Sequence, residues 1–238
     1  MSIQISNVPF ISQLIKYPTG CESVSAVMAL RYMGYPISVE EFIDQYLPLG
    51  RMPHELSDGT YAGDDPWLCF PGNPYTKDEG WGCFAPVLEE AISAYLKDQA
   101  DAASRKGEAD PGTQASFPIA EAVYNMRVPE LCAEFIDHDI PVIFWATIEM
   151  APPRESGRWI TPAGREIRWI SPMHCTLLTG YITGEEEGAD PVTVHDRITH
   201  YIFNDPTSGE NAVFSREEVE RAYEAQGCQA LVIRPVGE

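Results

Sequence analysis

The chain has 238 residues, 44% hydrophobic and 11% aromatic, which suits a globular protein with a sizeable core and excludes a disordered one. Its 36 acidic residues against 16 basic ones give a formal charge of -20, which argues against binding a phosphate backbone or an anionic membrane. No run approaches the roughly 18 apolar residues of a membrane-spanning helix, so no membrane insertion is expected. The first residues, M-S-I-Q-I-S-N-V-P-F, carry neither a basic n-region nor an apolar h-region. A cytoplasmic protein is the expectation, or an exported one if a leader has been removed. Cysteines 21, 69, 83, 132, 175 and 228 form no tight framework, and reduced thiols are expected. A single domain over 1–238 is expected; oligomeric state leaves no signature.

In chain order, Val8-Pro9-Phe10-Ile11 reads as an extended entry into a loop, Lys16-Tyr17-Pro18-Thr19-Gly20, which delivers Cys21 to the first turn of an apolar helix. Val24, Val27, Met28 and Leu30 fall near helical spacing, so one side of that helix is expected to face a core, and Gly34 marks its end. Ser38-x-x-Glu41 is a capping box for a second helix that runs through Tyr46. From about 49 to 82 the pattern breaks into proline, glycine, aspartate and aromatics. So long an irregular stretch is often functional. Its aromatics Tyr61, Trp67, Phe70, Tyr75 and Trp81 suit a cleft wall, although packing onto the core is the commoner use of such residues. Pro86 opens a third helix, residues 98–116 read as an exposed, mobile insertion, and Pro129 starts a short helix. Strands then dominate: Val142 to Ile148, a hairpin around Pro162-Ala163-Gly164, Cys175 to Ile182 and Tyr201 to Phe203. A helix capped by Ser215 and a strand from Ala230 to Ile233 close the chain. Helices first and strands later give an α+β fold with an antiparallel sheet.

A cysteine at a helix N-terminus meets the positive end of the dipole, which favours the nucleophilic thiolate. A buried cysteine in an apolar helix is more commonly plain packing, so Cys21 gains meaning only from partners. A nucleophile needs a base, and the base needs a group to fix its tautomer. Of five histidines, His54, His138, His195 and His200 lie in loops or charged turns, whereas His174 stands at the mouth of the strand C-T-L-L-T-G-Y-I. The next strand, Y-I-F-N-D-P, ends in Asn204 and Asp205, and either side chain accepts an imidazole N–H if the two strands pair. Gln13, ahead of the cysteine, offers an amide N–H that with the Cys21 main-chain N–H would make an oxyanion hole. There is no C-x-x-C pair and no H-E-x-x-H, so neither a metal nor a cofactor is expected.

Taken together, V-P-F-I-S-Q, G-C-E-S-V-S-A-V-M-A-L-R-Y-M-G, P-V-I-F-W-A-T, S-P-M-H-C-T-L-L-T-G-Y and F-N-D-P-T-S-G resemble the peptidase C39-like family. These are papain-fold cysteine peptidases related to the double-glycine leader peptidase domains of bacteriocin exporters. The resemblance runs from about Val8 to Ile233 and is most specific around Cys21 and His174. It implies a papain-like fold, Cys21 as nucleophile, His174 as general base and acid, Asp205 as orienting residue and Gln13 as oxyanion donor. Asn204 is the competing third member, since papain uses an asparagine there; the aspartate-proline corner of the family pattern favours Asp205. These 238 residues include no transporter segment, so leader-peptide cleavage is not carried over as an expectation from the exporter relatives.

The implied activity is a thiol hydrolase that cuts a peptide or amide bond in a peptide or protein substrate through an acyl-enzyme. An acyl transferase would share the same site and the first half of the reaction, and an inactive papain-like module would bind peptide without cutting it. The acidic surface would steer basic substrates.

Overall fold

The computed structural model describes residues 1–106, 117–185 and 193–235. The helices are α1 (Cys21–Tyr32), α2 (Val39–Gln45), α3 (Ala85–Lys106), α4 (Val128–Glu134) and α5 (Arg216–Ala225). The main strands are β1 (Ser2–Gln4), β2 (Ile119–Tyr124), β3 (Val142–Thr147), β4 (Arg154–Ile160), β5 (Glu166–Ser171), β6 (Met173–Thr183), β7 (Ile198–Asp205), β8 (Gly209–Ser215) and β9 (Gln229–Arg234).

Seven strands form one antiparallel sheet in the order β8-β7-β6-β3-β9-β2, with β1 also paired to β6. The eleven-residue β6 organises it. One edge of β6 pairs with β7, while the other meets β3 over Met173–Leu178 and β1 over Gly180–Ile182. All six residues of β3, and nearly all of β6 and β9, are buried. That accounts for their unbroken apolar runs: strands covered on both faces do not alternate. Helix α1 packs on β6 and β3, α3 on β2 and β9, and α5 on β3, β7 and β8. Phe144 of β3 stacks on Tyr223 of α5 at 4.6 Å.

Helix α1 departs from the expected one-sided burial, because every residue from Cys21 to Leu30 is buried. Small residues let this happen: Ser23, Ser25, Ala26 and Ala29 face strands and neighbouring helices that leave no wet side. Ser25 Oγ donates to the Cys175 carbonyl at 3.2 Å and ties α1 to β6. Gly34, at φ +86°, ends the helix as its position in the sequence suggests. Ser38 accepts from the Glu41 N–H at 3.0 Å and caps α2.

The small, polar stretch after Tyr95 is not an insertion throughout. Helix α3 continues to Lys106, favoured by its alanines and by the Lys97–Asp101 pair one turn apart. The remaining residues of the expected insertion, 107–116, lie outside the described residues. Strands β1, β2 and β8, and the two-residue strands within the irregular stretch, are additions to what the sequence suggests.

Hairpin β4–β5 and the two-residue strands His54–Glu55 and Tyr61–Ala62 make a four-stranded second sheet. Trp159, Ile167 and Trp169 form its small core, against which Trp67, Trp81, Phe84 and Met173 pack. Of the aromatics in the irregular stretch, Phe70 is fully buried, Trp81 lies edge-on to Trp159 at 5.1 Å and Trp67 packs on Phe84 at 4.6 Å. Packing is therefore the main use of these three rings. Tyr61 and Tyr75 stay exposed, their hydroxyls bound to Glu55 and Asp44. Among the described residues, no helix is long and apolar enough to cross a membrane.

Candidate active site

Cys21 is the first residue of α1, behind Gly20, whose carbonyl accepts from the Val24 N–H at 3.0 Å. The loop before it is closed by two main-chain bonds, Tyr17 N–H to the Gln13 carbonyl and Gly20 N–H to the Tyr17 carbonyl, both 2.9 Å. His174 is the second residue of β6, opposite Ala146 on β3, and Asp205 is the last residue of β7. Because β6 and β7 pair antiparallel, the start of one meets the end of the other.

That register brings His174 Nε2 to 3.1 Å from each carboxylate oxygen of Asp205. Both side chains are buried. An ionised carboxylate only accepts, so Nε2 carries the proton and Nδ1 is left as the basic nitrogen. Asp205 Oδ1 also accepts from Thr207 N–H at 2.8 Å, Thr207 Oγ1 at 2.7 Å and Ser208 N–H at 2.8 Å. Burial opposes the charge on Asp205, but the His174 ring and these donors together outweigh it and hold the carboxyl well below its usual range. Thr207 completes the corner, its hydroxyl 3.5 Å from His174 Nε2.

Asn204 is engaged elsewhere. Its Nδ2 donates to the carbonyls of Val8 at 3.1 Å and Pro9 at 3.2 Å, and its Oδ1 accepts from the Asn211 N–H at 3.2 Å. It clamps the N-terminal segment to the end of β7, while Asp205 faces the imidazole. Asn204→Ala would leave those buried carbonyls without their donor and should lower unfolding stability by about 2–4 kcal/mol. Denaturant unfolding measures the loss, and the rate of Cys21 alkylation in the folded variant should stay near that of the parent chain.

Gln13 is buried, held by its main-chain N–H on the Pro206 carbonyl at 3.1 Å and by Nε2 on the Pro18 carbonyl at 2.9 Å. Pro18 uses one of the two Nε2 hydrogens. Oε1 is buried without a partner. A buried polar atom left without a partner calls for an explanation in function or in bound water.

The thiol itself is not the exposed, acidified group that a helix N-terminus suggests. Cys21 is only 6% exposed. Burial, followed by the charge of Glu22, pushes its acidity well below that of a free thiol, although the Cys175 N–H works the other way. Sγ lies 3.3 Å from Glu22 Oε2, and among the described residues no hydrogen bond joins Sγ to the imidazole. The helix dipole is outweighed here by desolvation and an adjacent carboxyl.

Glu22 is the residue the sequence reading missed. It is 0% exposed, with Oε1 accepting the Cys83 N–H at 2.8 Å. Burial raises its carboxyl to about 7, while its own N–H, the Cys83 N–H, the Cys21 thiol and the His174 charge pull the other way. Gly82, at φ +125°, lets the loop pass: a Cβ there would run into the Met173 methyl and Glu22 Oε1. The Cys83 carbonyl accepts from Trp145 Nε1 at 2.9 Å and locks the loop down. The only hint in the sequence is an acid within an otherwise small and apolar helix, which reads as an ordinary complement to the dipole.

An α+β chain with a cysteine at the start of a buried helix, beside an antiparallel sheet that pairs a histidine with an aspartate, has the architecture of the papain-like cysteine peptidases. Residues 5–231 match the model of the Peptidase_C39 like family, and the chain belongs to that family. The fold is shared with the crystal structure of a candidate C39-like peptidase from Bacillus anthracis, at a TM-score of 0.72 and 23% identity over 100% of both chains. No curated protein matches the chain.

Proposed function

We propose that the chain is a thiol hydrolase that cuts a peptide or amide bond in a peptide or protein substrate. The observation that carries this reading is the buried His174–Asp205 pair, with both carboxylate oxygens 3.1 Å from Nε2, and with His174 on β6, the strand against which the Cys21 helix packs. His174 Nδ1 takes the thiol proton, and Sγ attacks the scissile carbonyl. The oxyanion is held by the Cys21 main-chain N–H and by the Nε2 hydrogen of Gln13 that Pro18 does not use. The imidazolium then protonates the leaving amine, and water, deprotonated by Nδ1, releases the acyl group from the thioester. Asp205 holds the ring in the tautomer this needs and stabilises its positive form.

The test is hydrolysis of a peptide library with the acyl-enzyme trapped by acid quench and located by mass spectrometry. The expected result is cleavage by the parent chain with an acyl adduct on Cys21. Cys21→Ala and His174→Ala should each lower turnover by about 10³-fold or more. Cleavage that survives Cys21→Ala, or saturable peptide binding without any cleavage, overturns the proposal.

A further inference from the structure

Glu22 is a carboxyl with no exposure, enclosed by protein, and its partners are unusual for a charge. Oε1 accepts a main-chain N–H from Cys83, and Oε2 faces the Cys21 thiol at 3.3 Å. Burying a carboxylate without a paired cation is expensive, so such a group exchanges its charge for a proton readily. The titratable groups that face it are Cys21 on its own helix, Cys83 ahead of α3, Cys175 and His174 on β6, and, beyond the ring, Asp205 on β7. His174 is the group among them that can become a cation.

Two proton arrangements follow from this geometry. With Glu22 ionised, Sγ–H donates to Oε2, and a thiolate would stand next to a carboxylate. With Glu22 protonated, that repulsion is gone and Oε2–H donates to sulfur instead. We propose that Glu22 is a positioning residue for the nucleophile, a proton-operated switch whose protonated form supports the Cys21 thiolate and whose ionised form holds Cys21 as the thiol. In the activating direction one proton comes from solvent onto Oε2, and the proton already on Sγ moves to His174 Nδ1. The site gains one positive charge, and no covalent bond between heavy atoms changes. This rests on the reading of Cys21 and His174 as nucleophile and base.

The consequence is opposite to that of a simple thiol. Free cysteine reacts faster as pH rises; here the rate at Cys21 should fall as Glu22 ionises through about pH 7. The experiment is iodoacetamide labelling against pH, read at each cysteine by mass spectrometry, on the parent chain and Glu22→Gln. Glutamine keeps an acceptor for the Cys83 N–H and presents an uncharged donor to sulfur. The expected outcome is a parent rate that drops above neutrality and a Glu22→Gln rate that does not, the variant being about tenfold faster near pH 8, the equivalent of one unit of thiol acidity. Profiles that coincide, or a slower variant, overturn the switch while brisk labelling of Cys21 leaves the hydrolase reading standing. Cys21 inert in both chains at every pH overturns both. Should Glu22→Gln fail to fold, ¹³C-glutamate spectra of the parent chain decide. One carboxyl titrating near neutrality, with a midpoint that moves when Cys21 is alkylated, supports the switch; every glutamate titrating below about pH 5 overturns it.

Discussion

Asp205→Asn should fold and lose activity by about 10²–10⁴-fold, whereas Asp205→Ala should lose activity and much of its stability together. The difference lies in how the carboxylate is used. Oδ1 takes three donors from the Thr207–Ser208 turn and shares the His174 Nε2–H with Oδ2. An asparagine satisfies the turn with its single oxygen, so its amide nitrogen must face the ring. Two donors cannot meet, so the imidazole changes tautomer: Nε2 becomes the acceptor and Nδ1 takes the proton. A ring protonated at Nδ1 cannot accept a proton from Cys21. Alanine removes both uses, orphaning two main-chain N–H groups and a buried imidazole, at a cost on the order of 3–5 kcal/mol. Turnover and denaturant unfolding of the two variants separate these effects. Full activity in Asp205→Asn would mean that the oxygen still reaches His174 and that the turn donors are expendable. The parent chain has its own pH signature here. A carboxyl whose folded acidity is raised in this way contributes stability that is present above about pH 4 and fades as pH falls further.

Much of this corner is legible in the primary sequence. Histidine at the mouth of one apolar run and aspartate at the end of the next meet because an antiparallel pair places those ends side by side, which is a topological argument needing no coordinates. The choice between Asn204 and Asp205 is not legible in that way. Adjacent strand residues point to opposite faces, so the choice hangs on a pairing register accurate to one residue, with Leu177 opposite Asn204, and the composition of the two runs does not fix that register. Helical periodicity finds α1 but not its depth. Val24, Val27, Met28 and Leu30 mark an apolar face, yet serines and alanines on the other faces are small enough to be buried too. Glu22 is hidden by the same effect: an acid at the second position of a helix is ordinary on a solvated helix and extraordinary on a sunken one. Likewise 98–106 reads as loop because its composition is polar, although alanine-rich polar sequence also suits a solvated helix end.

The depth of Glu22 also sets an expected stability profile. Its carboxyl rises from 4.5 in the open chain to about 7 in the fold, so the unfolded state ionises first. The sign follows directly: the neutral form is fully favourable to folding below about pH 4.5, and that contribution drains away as pH climbs through 7. The gap between the two values corresponds to a loss on the order of 3 kcal/mol on the alkaline side. Glu22→Gln has no carboxyl to ionise. The variant and the parent chain should therefore have similar unfolding free energies near pH 4.5, then diverge until the variant is the more stable by about 3 kcal/mol above pH 8. This window lies apart from that of Asp205, whose stabilising charge is lost only below about pH 4. Urea unfolding of both chains across the range measures the divergence. Parallel curves would mean that Glu22 ionises as easily in the fold as in the open chain, and that solvent or a cation reaches its carboxylate. A divergence centred near neutrality would place a carboxyl with the same midpoint in both the stability of the fold and the reactivity of its nucleophile, so that the chain is at its firmest in the protonation state that frees Cys21 to react.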